Sequence, residues 1–169
     1  KHLLIFIPLL TVAGCTNNNS FIVKGSLEHS DKKMIYLSRV NVDETVPLDS
    51  AKINSKGVFR FRVKAGEPDF YQIGFSSDNF VTLLATPGEK IILSLLSENL
   101  LENYTVEGSE GSEQVRILDI KLLKTKHSLD SITTLYTRAE KEDGFETKRK
   151  PLEEEYLRLL KEQRRFNIE

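Results

Sequence analysis

The sequence predicts an α+β fold: an antiparallel β-sandwich or open barrel of about eight short strands, followed by a helical hairpin. Three observations carry that expectation. From Phe21 to Glu107 the apolar residues alternate with polar ones at period two and are punctuated by turn residues. At Gly108-Ser109-Glu110-Gly111-Ser112 the pattern breaks. Beyond it, apolar residues recur three and four apart, the spacing of a helical stripe.

Phe21-Ile22-Val23-Lys24-Gly25 reads as the first strand and Met34 to Arg39 as the second, with a polar loop from Glu28 to Lys33 between them. Val46 to Ile53 and Val58 to Val63 flank Asn54-Ser55-Lys56-Gly57, which reads as a hairpin turn. In the second of these arms Phe59, Phe61 and Val63 fall on one face and Arg60 and Arg62 on the other, so the sheet has a dry and a wet side. Phe70 to Phe75 and Phe80 to Ala85 flank Ser76-Ser77-Asp78-Asn79. Pro87-Gly88-Glu89-Lys90 is a tight turn in which Pro presets the first central position and Gly suits the second. Ile91 to Leu96 and Tyr104 to Glu107 complete the set, and Phe59, Phe61, Tyr71, Ile73, Leu83 and Ile91 are expected in the core.

Ser109 or Ser112 can cap a helix, with Glu113 in its first turn favouring the dipole. The first stripe runs through Val115, Leu118, Leu122, Thr125, Leu129, Ile132, Tyr136 and Ala139. Glu142-Asp143-Gly144 interrupts it, and Leu152, Tyr156, Leu159, Gln163 and Phe166 form a second. Pro151 is expected near the first turn of that second helix, where its missing N–H costs nothing. Short-linked helices of this kind pack as an antiparallel pair. The helix pattern still runs at Arg165-Phe166-Asn167-Ile168-Glu169, with no Gly or Pro behind it, which leads to the expectation of a truncated chain.

The N-terminal segment has a different character. Lys1-His2 precedes Leu3 to Leu10, which is almost purely apolar and too short to cross a bilayer. Small residues follow, then Cys15, in the order of a secretory signal peptide. Val12-Ala13-Gly14-Cys15 resembles a bacterial lipobox, and the resemblance implies that Cys15 becomes the first mature residue and is acylated. A buried cysteine in an apolar strand is the competing reading; strands seldom open a chain in this order. Several acyl chains on one residue would hold the protein in the bilayer almost permanently. Thr16-Asn17-Asn18-Asn19-Ser20 is a polar tether. By resemblance to lipoprotein sorting rules, the absence of Asp after Cys15 points to the inner leaflet of the outer membrane, facing the periplasm. The expected organisation is a signal peptide over residues 1–14, the tether over 15–20, a β-rich domain over 21–107 and a helical hairpin over 108–169.

The chemistry is sparse. A net charge of -1 supplies no long-range field to attract nucleic acid or anionic lipid. Cys15 is the only cysteine, so these residues can form neither an internal disulfide nor a dithiol redox motif. His29 and His127 lack ligand spacing, and no metal or cofactor is expected. Gly108 to Ser112 lacks the Gly-Lys of a phosphate loop and reads better as a helix cap. Asp49-Ser50 reads as a strand-entry or turn pair rather than a nucleophile. No catalytic residue emerges, and lipidation at Cys15 is the one site the sequence offers.

Phe21-x-Val23-x-Gly25, Ile35-Tyr36-Leu37, Leu48-Asp49-Ser50-Ala51, Gly57-x-Phe59-x-Phe61, Phe70-Tyr71, Pro87-Gly88-Glu89 and Val106-x-Gly108-Ser109 together resemble a known family. It is the β-rich domain of unknown function that precedes the thioredoxin-like domain in lipid-anchored thiol-disulfide oxidoreductases of the redoxin type. The resemblance covers residues 21 to 112. It implies a catalytic Cys-x-x-Cys in a missing thioredoxin-like domain beyond the helices, and it transfers no catalytic residue to this chain. Two functional expectations follow. One is a non-catalytic membrane-anchored module whose partners are the membrane, through acylated Cys15, and a C-terminal redox domain or envelope protein. The other is a free-standing periplasmic lipoprotein that binds a ligand or protein partner.

Overall fold

The computed structural model describes residues 19–29 and 31–166. The apolar run Leu3 to Leu10 and Cys15 lie outside the described residues, as do 167–169. The elements in chain order are β1 (Ser20–Leu27), β2 (Met34–Val40), β3 (Thr45–Lys52), β4 (Val58–Lys64), β5 (Asp69–Ser76), β6 (Asn79–Ala85), β7 (Lys90–Leu95), β8 (Tyr104–Glu107), α1 (Glu110–Ala139) and α2 (Phe145–Phe166). The strands make two four-stranded sheets, ordered β4-β1-β7-β8 and β3-β2-β5-β6. They pack face to face as an open sandwich followed by two helices, the α+β class read from the sequence.

The alternation decides what is buried. Along β4 the pattern is strict: Phe59, Phe61 and Val63 are buried while Arg60, Arg62 and Lys64 are exposed. Tyr71, Ile73, Leu83 and Ile91 are buried as expected and belong to the same core. The sheets are stitched by apolar contact across their inner faces; the rings of Phe21 on β1 and Tyr71 on β5 lie 4.7 Å apart. The rings of Phe59 and Phe61 meet edge to face.

Pairing departs from the sequence reading at two places. Asn54 to Gly57 does not close a hairpin: β3 and β4 belong to different sheets, so the segment is a corner between them. Its turn chemistry is nonetheless as read, because Asn54 Oδ1 accepts the amides of Lys56 and Val58 at 2.9 and 3.0 Å. What redirects β4 is a better partner. It runs antiparallel to β1 with Gly25 opposite Phe59, whose ring lies over the glycine. The second departure is that β1 and β7 pair in parallel, the one parallel pair among the described strands. Parallel partners need a long connection, and here all of β2 to β6 separates them.

Asp49-Ser50 is likewise not at a strand entry. It lies inside β3, just after a bulge at which Leu37 faces Asp49 while Ser38 faces Pro47, leaving Leu48 unpaired and exposed. Pro47 donates no amide, which a sheet tolerates on an edge strand such as β3. The turn read at Pro87 to Lys90 closes one residue earlier, over Thr86-Pro87-Gly88-Glu89, with Pro87 and Gly88 at the two central positions as read, Gly88 at φ 96° and the Glu89 amide bonded to the Thr86 carbonyl at 3.1 Å.

The helices form the antiparallel pair. Tyr136 meets Phe145 edge to face near the turn, Thr125 bonds Gln163 at 2.7 Å, and the Lys121 ammonium lies over the Phe166 ring. Helix α2 starts earlier than the sequence suggested, at Phe145 directly after left-handed Gly144. Pro151 therefore sits inside the helix rather than in its first turn. The Thr147 hydroxyl bonds the Gly144 carbonyl at 2.7 Å and Arg149 pairs with Glu146, local interactions that carry the helix through the early turns.

Candidate functional site

A buried cluster of polar side chains marks the junction where the sandwich becomes a helix. Gly108 turns the chain out of β8 at φ 80°, and a Cβ there would stand 2.3 Å from the Lys90 carbonyl oxygen, so only glycine fits. Ser109 is the N-cap of α1, accepting the Ser112 amide at 3.2 Å. Of the two serines the sequence offered, Ser109 caps; Ser112 lies within the first turn and reinforces it. Both hydroxyls converge on the carbonyl of Leu84, at 3.1 and 3.0 Å, and lie 3.0 Å from each other. Leu84 is on β6, an edge strand whose outer carbonyls have no neighbouring strand to bond. Both serines are buried, so these bonds form away from competing water.

A second clamp sits two turns along the helix. Tyr104 on β8 donates its hydroxyl to Asp119 Oδ2 at 3.1 Å. Burial, with the Asp119 carboxylate beside it, pushes the Tyr104 hydroxyl well above its ordinary pKa. Burial also raises the Asp119 carboxyl, against the opposing effect of the Tyr104 hydrogen bond. A neutral tyrosine that donates to a partly buried carboxylate is a structural pair rather than an acid-base couple. No sequence signal announced it, because a strand residue and a helix residue fifteen positions apart carry no spacing rule.

A surface groove of about 460 Å³ lies on the outer face of the second sheet, lined by Tyr36, Ser38, Gln72, Gly74, Phe75 and Phe80 among others. Gly74 keeps its floor low: a Cβ there would come within 2.6 Å of the Phe80 backbone. The groove is aromatic and neutral and brings together no pair of titratable groups.

His29 lies in the β1–β2 loop and His127 in the middle of α1, both exposed. Among the described residues no cluster of His, Cys, Asp or Glu could hold a metal ion. Likewise, no described helix is long and apolar enough to cross a membrane. The carboxylates with depressed pKa values are Asp78, held down first by the Ser76 hydroxyl, and Glu113, Glu142 and Glu155, held down first by hydrogen bonds from Arg116, Lys148 and Arg158 in surface ion pairs of the helical hairpin. Cys15 has no geometry to add, being outside the described residues. Residues 21–115 match the model of a family described as a domain of unknown function, DUF4369. No curated protein and no solved structure matches the chain.

Proposed function

Since the chain belongs to the DUF4369 family, we propose that it is the non-catalytic, membrane-anchored module of a cell-envelope thiol-disulfide oxidoreductase, tethering and positioning a downstream redox domain. The observation that carries this reading is the junction just described. Ser109, Ser112 and the Tyr104–Asp119 bond fix α1 to two edge strands, β6 of one sheet and β8 of the other, so the helix leaves the sandwich in a set direction. At 30 residues it is about 45 Å long, far beyond what its own contacts with the sheet need. A rigid strut of this kind is suited to holding a following domain at a chosen distance. Anchoring through Cys15 would raise that domain's effective concentration toward envelope partners.

The test is thiol-disulfide turnover with a small disulfide. The full-length product carrying a Cys-x-x-Cys segment beyond residue 169 should turn over, and the present chain with Cys15→Ser should not, because exchange needs thiols within reach. Turnover by the cysteine-free chain, or an open reading frame that ends without such a segment, contradicts the proposal. A second reading, a free-standing periplasmic lipoprotein that binds a ligand, is favoured by the neutral aromatic groove of Tyr36, Gln72 and Phe80. Under that reading Tyr36→Ala removes ligand binding without altering envelope location.

A further inference from the structure

The two outer faces of the sandwich differ in charge. On the sheet β4-β1-β7-β8, the outward positions include Lys24 on β1, Arg60, Arg62 and Lys64 on β4, and Lys90 on β7, all exposed. The register gathers them: Lys24 stands directly opposite Arg60, Arg62 and Lys90 flank Ile22 on either side, and Lys64 faces Ser20. Neighbouring strands are about 4.8 Å apart and alternate residues about 6.7 Å, so five cations occupy a patch about 13 Å by 10 Å, comparable to one Debye length. None of the five has an ion-pair partner among the described residues. The carboxylate on this face is Glu107, opposite Ile92 at the far edge. The nearby Glu89 carboxylate is occupied by the Thr86 amide at 2.9 Å. Like charges placed directly across a strand pair repel, and no ion pair among the described residues relieves that repulsion. A net charge of -1 hides this segregation, because most of the compensating carboxylates lie on the helices and loops.

We infer that this basic face lies against anionic phospholipid headgroups of the membrane to which the chain is anchored. The inference rests on the reading of Cys15 as the anchor, and the position of the tether selects a membrane over other polyanions. Ser20, the first residue of β1, is at the Lys64, Arg62 and Lys90 end of the face. Cys15 precedes it by five residues, a reach of at most about 18 Å. An anchor that short keeps this end of the sheet within headgroup range. One lipid anchor plus a polybasic patch is the general recipe for a firm, oriented attachment. Ile22 and the half-exposed Ile92 lie among the cations and add apolar contact at the headgroup level. Held this way, the sandwich lies on its side rather than swinging on the tether, and that orientation sets where α1 points.

The experiment compares partition of the full chain onto vesicles containing about 30 mol % phosphatidylglycerol with partition onto pure phosphatidylcholine. The ratio cancels any apolar contribution of residues 1–15. The expected result is strong preference for the anionic vesicles at low salt, lost as salt shortens the Debye length. Arg60→Gln/Arg62→Gln/Lys64→Gln lowers the ratio about a hundredfold, at about fivefold per cation. Lys124→Gln/Lys126→Gln on α1 leaves it unchanged. Should the triple variant fail to fold, Lys24→Gln/Lys90→Gln on the neighbouring strands makes the same test. Equal partition onto both vesicles, a ratio unmoved by the face variants, or equal loss from the α1 variant overturns the inference. Tighter capture of soluble polyglutamate than of anionic vesicles also overturns it and assigns the face to an acidic protein. Failure of the Cys15 reading is seen separately, as retention of Cys15→Ser on cell membranes after a high-salt wash that removes the electrostatic contacts, and leaves the vesicle ratio standing.

Discussion

The sandwich and the helical hairpin are held together in different ways. In the sandwich Phe21, Phe61, Ile35, Leu37, Ile73 and Leu83 are all but fully buried, and each sheet supplies the other with an apolar ceiling. In the hairpin α2 has no buried residue, and α1 has only Ser112 and Ala139. Two helices can cover one seam between them and no more, so Leu129, Ile132, Leu152 and Leu159 are half-buried and Leu157 is 63% exposed. Surface pairs such as Arg158 with Glu155 and Glu162 decorate the outside, and exposed pairs contribute typically under about 1 kcal/mol. The sandwich is stable through its interior; the hairpin is ordered through its attachments at Ser109, Ser112 and Asp119. That division suits the proposed roles of an anchored body and a positioning strut.

The difference can be broken most severely at Phe61. Phe61→Ala leaves a cavity between the sheets and should cost about 3 to 5 kcal/mol in denaturant unfolding. Arg60→Ala, one residue away on the wet face, should change stability by no more than about 0.5 kcal/mol. Gly25→Ala comes next: a Cβ there would lie 1.9 Å from the Phe59 ring and would displace it, at about 1 to 3 kcal/mol. Leu159→Ala, in the half-covered seam, should cost less than about 1.5 kcal/mol, and amide exchange should show α2 opening before any strand of the sandwich core. A loss at Leu159 equal to that at Phe61 would erase the comparison.

The smallest effect concerns pH at the junction. Burial raises the Asp119 carboxyl above its unfolded value, so the folded state binds that proton more tightly than the unfolded chain does. The stability it contributes is fully present below the unfolded carboxylate pKa and is lost as pH rises through the raised folded value. Glu113, held low by Arg116, acts in the opposite sense: its contribution is present above the unfolded pKa and lost in acid. Asp119→Asn keeps an acceptor for Tyr104 and should remove the Asp119 part of the pH slope in a thermal melt series. An unchanged slope would mean that the carboxyl is better hydrated than its partial burial implies.

What was legible in the sequence was local. Phe59-Arg60-Phe61-Arg62-Val63 declares its two faces by alternation, Pro87-Gly88 declares its turn, and the Val115 to Ala139 stripe declares α1. Pairing was not legible, because register between distant strands leaves no spacing signal; hence the corner at Asn54 to Gly57 and the parallel β1–β7 pair. Pro151 misled as to the start of α2, since the preceding Glu146 and Thr147 sustain the helix ahead of it. The candidate site divides in the same way. Gly108 to Ser112 reads as a cap from sequence, whereas its grip on the Leu84 carbonyl needs β6 alongside. Arg60 and Arg62 were visible as a wet face, but the basic patch exists only once β1 and β7 bring Lys24 and Lys90 beside them.

The most direct measurement is the distribution of the protein between membrane and soluble fractions of the envelope, before and after a high-salt wash. The wild-type chain should sediment with the outer membrane and resist the wash, since acyl chains on Cys15 are indifferent to screening. Cys15→Ser should move to the soluble fraction once salt has removed the electrostatic contacts. Retention of Cys15→Ser on the membrane in high salt, or release of the wild type by it, would contradict the anchor and with it the positioning role.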